Sequence, residues 1–221
     1  MKTGHLKILH CDNHILVVDK PACVPIVPDS SDDVSLLDMA KAWVKEEFSK
    51  PGAVFLGVVH RLDRPVSGVV VFARTSKAAS RLSEAWRCHD IEKVYWGLSE
   101  SPAPQERKGE IEQWLWKDTK RNVVRRFTRE GRQDGAKLAQ TSWRVLSAKP
   151  GNTLLELIPH TGRSHQLRVA CASMGCVLKG DLKYGARQPL PDKSIALHAR
   201  RLSFAHPTLK EKMRFESPCP F

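Results

Sequence analysis

Residues Val58 to Arg74, VVHRLDRPVSGVVVFAR, decide how the chain is read. Two apolar runs, Val58-Val59 and Val69 to Phe72, flank a short polar loop that closes at Ser67-Gly68. Such runs are strands, and the loop between them holds its side chains at the rim of a sheet, where folds place chemistry. One acid, Asp63, sits in that loop between Arg61 and Arg64. Two readings are open on these residues alone. An acid between two arginines makes a surface ion pair, whereas a carboxylate presented on a rigid loop is a candidate catalytic group.

Working toward the N-terminus, LKILH and HILVVDKP are short apolar runs separated by Cys11-Asp12-Asn13. They predict a β-hairpin that enters the core directly, with Lys20-Pro21 closing its second strand. Residues 21–33, rich in Pro, Asp and Ser, predict a loop. Ser35 followed by Asp38 makes a capping box for a helix whose apolar stripe is Leu36, Leu37, Ala40, Trp43 and Val44. Toward the C-terminus, a second helix begins at Ser76, with Ala79, Leu82, Ala85 and Trp86 on its apolar side. Glu92 to Leu98 predicts a strand with Lys93 and Tyr95 on one face and Val94 and Trp96 on the other.

After a Pro-rich connector at 101–108, the sequence turns basic as far as Arg132. Lys117, Lys120, Arg121, Arg125, Arg126 and Arg129 are interleaved with Trp114, Trp116 and Phe127. Cations neutralise phosphates and aromatic faces stack on unpaired bases, so the segment suits RNA; a surface hairpin with core tryptophans is the plainer alternative. Lys137–Ala148 and Asn152–Ile158 predict another hairpin through Pro150-Gly151. In Pro159 to Gly185, Ser164 or Thr161 is positioned to cap a helix bearing Leu167, Cys171 and Met174, with Gly175 ending it. The Gly162-Arg163 pair ahead of that helix is a natural anion site.

Composition bounds the function. The chain has 221 residues, 41% of them hydrophobic, and a net charge of +12, so it can bury a core and it attracts polyanions, either nucleic acid or an anionic membrane surface. No apolar run reaches the roughly 18 residues of a membrane span, and MKTGHLKILH lacks the features of a signal peptide. A soluble cytoplasmic protein is expected. The six cysteines contain no CxxC pair and are expected to be small buried hydrophobes. His60, His160, His165, His198 and His206 show no ligand spacing, so no metal is expected.

His60-Arg61-Leu62-Asp63-Arg64 followed by Ser67-Gly68 resembles the HRLDxxTSG signature of the RluA family of RNA pseudouridine synthases. LKILHCDNHILVVDKP, EKVYWGL, HTGRSHQLRV with the later GD and YG, and LHARRLSFAHP resemble the family's other blocks, in the same order. The resemblance runs from about residue 6 to the C-terminus. It implies an α+β fold: one catalytic domain over 1–221, with a mixed, mostly antiparallel central sheet flanked by helices and an RNA-binding cleft. It also implies an isomerase that converts uridine in structured tRNA or ribosomal RNA to pseudouridine, without cofactor or metal. A catalytically silent RNA-binding protein of the same fold is the alternative. A monomer is expected, with no additional RNA-binding domain ahead of the first hairpin.

By the same resemblance Asp63 stands at the nucleophile position, where it would attack the ribose or otherwise stabilise the separated sugar. A carboxylate shielded from solvent needs a countercharge, and Arg168 is the expected partner. Tyr95 matches the tyrosine that stacks on the target base and is a candidate for handling its ring proton. Arg61 matches the arginine that fills the space left by the flipped uridine. Arg61, Arg64, Arg163, His165, Arg125 and Arg126 are the RNA-binding candidates. The chain departs from the family at Val66, which replaces the signature threonine, at Ala170-Cys171, and at Cys176 to Lys179.

Overall fold

The computed structural model describes residues 6–129 and 133–221, so Arg132 of the basic segment lies outside the described residues. The first half of the chain runs β1 (Lys7–Cys11), β2 (Ile15–Lys20), α1 (Leu36–Glu47), β3 (Gly57–Val58), β4 (Ser67–Ala73), α2 (Ser76–Arg87) and β5 (Glu92–Ser99). The second half runs β6 (Lys108–Asp118), β7 (Val123–Phe127), β8 (Lys137–Lys149), β9 (Asn152–Pro159), α3 (Gln166–Ser173), β10 (Leu197–Ala205) and β11 (Lys212–Glu216). Helices and antiparallel strands in this proportion make an α+β protein. Its contacts divide into two compact units, Met1–Glu92 with Ala199–Pro218 and Lys93–His198 with Cys219–Phe221.

In the first unit the strand order is β1-β2-β4-β10, with β3 also pairing β4 and β11 pairing β10. Ile15, Leu16, Val17 and Val18 of β2 are all fully buried, as are Val70, Val71 and Phe72 of β4. Strands without polar alternation are buried on both faces. The β2–β4 register sets Ile15 opposite Ala73 and Val17 opposite Val71, and Ala78 and Leu82 of α2 pack on that side. Leu16, Val18 and Lys20 project to the other side, where Lys20 pairs with Gly68. Helix α1 begins as its sequence implies: the Asp38 N–H donates to Ser35 Oγ at 3.2 Å, and Leu36, Ala40 and Val44 are its buried residues. The N–H groups of Leu36 and Leu37 donate to the Pro25 and Ile26 carbonyls, fastening the 21–33 loop to the helix start.

In the second unit the order is β5-β9-β8-β6-β7, every pair antiparallel. Helix α3 covers one face, where Val169 packs on Leu115, Val124 and Ala139. Its start differs from the expected hydroxyl cap. The N-cap is His165, left-handed at φ 52 and with no side-chain cap bond. Gln166 does the capping work instead, since its Oε1 accepts from the Arg163 N–H at 3.0 Å and the Thr161 hydroxyl at 2.7 Å. Its amide nitrogen donates to Gln140 O and Thr141 Oγ1 on β8. A buried amide with four satisfied bonds stitches loop to sheet better than a terminal hydroxyl could.

The cysteine expectation is corrected in part. Cys171 and Cys176 are buried, but Cys88 is exposed and Cys11, Cys23 and Cys219 are half-buried. A small side chain in a turn or at a helix end packs wherever the backbone goes, whatever its hydrophobicity.

Gly68 tests the packing of the first unit. Its φ is +118, and a Cβ there would lie 2.7 Å from Ala199 N and 2.8 Å from Ala199 C on β10. Backbone cannot retreat as a flexible side chain can. Gly68→Ala is therefore expected to cost about 3 kcal/mol or more, as overpacking plus a left-handed penalty, read as a lower urea midpoint at unchanged slope.

Candidate active site

The polar loop at the centre of the opening stretch spans the residues between β3 and β4. Leu62 and Val66, on either side of the half-buried Asp63, are buried and anchor it. The Val66 N–H donates to Asp63 O at 3.0 Å, closing a turn directly after the acid. Before the acid, His60 is locked: its Nε2 accepts from the Val71 N–H at 3.0 Å and its ring stacks on Trp86 with centroids 4.5 Å apart.

Beneath the loop lies a group that the sequence reading took only for a strand end. Lys20 is fully buried, and its ammonium donates to Val66 O at 2.6 Å, Pro21 O at 2.9 Å and Arg64 O at 3.0 Å. Three protons meet three carbonyls, two of them in the segment that follows Asp63. Burial pushes this ammonium down to about 7, while the Cys23 thiol and the Asp63 carboxylate favour its charge and Arg64 opposes it. A lysine closing a strand whose first four residues are apolar and fully buried was the available signal, and amphipathic pattern alone does not distinguish it from an exposed strand end.

The two arginines beside Asp63 have different surroundings. Arg61 is exposed and makes no side-chain polar contact among the described residues. Arg64 is drawn into the 21–33 loop, donating to Cys23 O at 3.2 Å and Ser31 Oγ at 3.0 Å and pairing with Asp29 at 3.4 Å and with Asp33. The expected RNA contact from Arg64 therefore competes with these partners; partly exposed pairs are weak, and the arginine mainly ties two loops together.

In the second unit, Tyr95 on β5 is half-buried and pairs with Leu157. Following the register across β9, β8 and β6 puts Tyr95 on the face that α3 covers. Arg168 of α3 is buried, and its Nε and one terminal nitrogen donate to the two carboxylate oxygens of Asp181 at 2.7 and 2.6 Å. Both side chains of the pair are nearly sealed, at 6% and 2% exposure. The Tyr184 ring lies 5.0 Å from the guanidinium carbon, and its hydroxyl accepts the Val124 N–H at 2.9 Å and meets His165 Nδ1 at 2.7 Å. His165 is thus a support at 9% exposure, with little surface to offer RNA, because its αL backbone turns the ring inward. Gly180, at φ +79, would place a Cβ 2.5 Å from Ser194 O, so only glycine lets the chain bring Asp181 to Arg168.

Arg163 is exposed; its Nε donates to Leu138 O at 2.9 Å, holding it against β8. Arg125 and Arg126 are both exposed on β7 but lie opposite Trp116 and Leu115 respectively, so they project from opposite faces of the sheet. Trp114 and Phe127 pair with each other and, like Trp116, are half-buried on the face away from α3.

A family model described as RNA pseudouridylate synthase matches residues 14–173. The chain is 33% identical to the dual-specificity RNA pseudouridine synthase RluA of Pasteurella multocida, over 98% of this chain and 94% of that protein. It is 31% identical to ribosomal large subunit pseudouridine synthase D of Pseudomonas aeruginosa, over 97% of this chain and 68% of that one. The solved structure of human RNA pseudouridylate synthase domain containing 1 superposes with a TM-score of 0.79 at 26% identity, covering 100% of this chain and 86% of that chain.

The chain belongs to the RluA family of RNA pseudouridine synthases. It is an isomerase that converts uridine in RNA to pseudouridine. Its departures at Val66, Ala170 and Cys171 fall on buried packing positions. Val66 is buried and uses its carbonyl, not its side chain, to meet Lys20. Ala170 and Cys171 are buried, and burial pushes the Cys171 thiol strongly up, so it acts as a small apolar group.

Two outcomes check the supports of this synthase site. Asp181→Ala leaves a buried guanidinium without its carboxylate and is expected to cost about 3–5 kcal/mol in denaturant unfolding. Lys20→Met is expected to lower turnover about a hundredfold by loosening the loop, with a diagnostic pH profile. Because Lys20 sits at about 7 in the folded chain against 10.5 ordinarily, the unfolded chain holds this proton to higher pH. On this group alone, stability rises between those values while the three-donor clamp is lost. The intact enzyme is expected to lose activity above that value without a fall in melting temperature, and the same limb in Lys20→Met would rule the clamp out.

Proposed function

We propose that Asp63 is the nucleophile of this synthase and that its substrate is a uridine in structured tRNA or ribosomal RNA. The observation that carries the reading is the loop itself: a half-buried carboxylate flanked by two buried residues, pinned before by His60 and after by the Lys20 ammonium. A surface ion pair has no need of such fixation. Asp63 would engage the ribose as its bond to the base nitrogen breaks. The freed uracil rotates and rejoins through carbon, and the ring proton displaced there is matched by one gained at nitrogen, so no atom is lost overall.

Tyr95 is assigned to stack on the base and handle the ring proton, and Arg168 to supply the countercharge for Asp63. Asp181 fixes the Arg168 plane through two parallel bonds. Arg61, exposed and without a polar side-chain partner among the described residues, is suited to enter the space of the extruded uridine. The names of the two bacterial relatives support the substrate classes, one protein being dual-specific and the other acting on the ribosomal large subunit.

The test maps pseudouridines in total RNA from cells with and without the gene. A site lost on deletion is expected to return with the intact protein and not with Asp63→Asn, while purified Asp63→Asn keeps RNA affinity within about threefold, since the amide keeps the shape of the carboxylate and removes one negative charge without removing a phosphate contact. Clear turnover by purified Asp63→Ala would sink the nucleophile assignment.

A further inference from the structure

The sheet of the second unit has one face with charges of a single sign. Opposed residues in antiparallel strands share a face, so the register sorts every charged side chain from β6 to β9. Glu110 lies opposite Ser142, Glu112 opposite Gln140, Asp118 opposite Val123 and Glu156 opposite Arg144, which puts all four carboxylates on the face away from α3. That face also carries cations such as Lys108, Arg125 and Arg144, and Arg144 is paired with Glu156 at 2.7 Å. The face shared with Tyr95 and α3 receives Lys117, Arg126 and Lys137, with no acid from these strands.

These three cations form a group. Arg126, Leu115 and Lys137 stand in one row across β7, β6 and β8, so the two charges flank a buried leucine about 10 Å apart. Lys117 is two residues along β6 on the same face, opposite Val124. All three are exposed, and their side chains make no polar contact among the described residues. Arg163 continues the row: beyond Pro159 the chain keeps to the edge of β8, with His160 N–H on Gln140 O and Arg163 Nε on Leu138 O, the residue next to Lys137.

We infer that Arg163, Lys137, Arg126 and Lys117 form a track for the RNA phosphate backbone on the α3-covered face, outside the uridine pocket, and that the adjacent Arg125 lies off it. The inference rests on the synthase reading above and adds to it a path for flanking RNA. Lys117, Arg126 and Lys137 can each neutralise a phosphate and release its counterion without first breaking a bond inside the protein, and Arg163 is held to β8 only through its Nε. The aromatic residues of the hairpin lie on the opposite face, so on this track RNA is held by charge and not by stacking on Trp114, Trp116 or Phe127.

The experiment compares neighbours in sequence that are opposites in space. Full-length Lys117→Glu, Arg126→Glu and Lys137→Glu are set against Arg125→Glu and Lys108→Glu, with labelled unfractionated tRNA as probe across a salt series. Each of the first three is expected to weaken binding about tenfold and lower the log–log salt slope by about one. Lys108→Glu is expected to bind as the parent does, and Arg125→Glu to lose less than half of what Arg126→Glu loses. Thermal melts confirm folding, and the glutamine variants carry the same comparison for any glutamate variant that melts early. Equal losses from Arg125→Glu and Arg126→Glu, or unchanged binding in all three track variants, would overturn the track. Those results leave the synthase reading intact as long as the parent forms pseudouridine in cellular RNA; a parent that forms none removes that reading, and the track with it.

Discussion

The contact between the Lys20 ammonium and the carbonyls of Pro21, Arg64 and Val66 is the constraint on which the first unit's chemistry depends. A charge at zero exposure is unfavourable unless every proton finds an acceptor and a counter-ion is near. Both conditions hold only in one loop conformation. The loop cannot drift without leaving a buried ammonium proton unpaired, so the cost of burying the charge becomes the stiffness of the segment that carries Asp63. Gly68 makes the arrangement possible from the sheet side, because β4 approaches β10 more closely there than any side chain permits.

The second unit solves the same problem with a different pair. Arg168 and Asp181 satisfy each other bidentately, Gly180 lets the backbone deliver the acid, and Tyr184 with His165 fills the remaining side. In each unit, therefore, a buried polar network stiffens the segment that carries the candidate residues. Such an arrangement tolerates substitution where side chains only fill volume. Val66 and Cys171 are buried and contribute packing, which explains why a chain that departs from the family signature at Val66 keeps its architecture.

Sequence pattern exposed the elements whose burial follows a simple period: the doubly buried β2 and β4, the amphipathic α1 and α2, and the alternation that sets Lys93 and Tyr95 together. It failed where a side chain's role depends on what approaches from far along the chain. Lys20 resembled a strand terminus because its three acceptors include two from residues more than forty positions away. Gln166 displaced the expected Thr161 or Ser164 cap because β8 offered its amide two further bonds. His165 and Arg64 had the right residue types for RNA, but an αL backbone turned one inward and four residues of the 21–33 loop engaged the other. Asp63, Tyr95 and Arg168 were singled out by motif order, which local physics alone does not supply, and their roles belong to the proposal above.

The net charge of +12 illustrates the same limit from the electrostatic side. A total charge describes the field far from the molecule, where salt has already screened it. RNA binds within a Debye length, about 8 Å at physiological ionic strength, which is comparable to the roughly 10 Å that separates one layer of a fold from the next. At that range each face of the second unit's sheet acts through its own residues. Glu110, Glu112, Asp118 and Glu156 reduce the potential on one side, while Lys117, Arg126 and Lys137 act unopposed on the other. A strand period of two thus converts a sequence of mixed charge into a surface of one sign, and the register, which brings cations of three strands onto one face, determines where that surface lies.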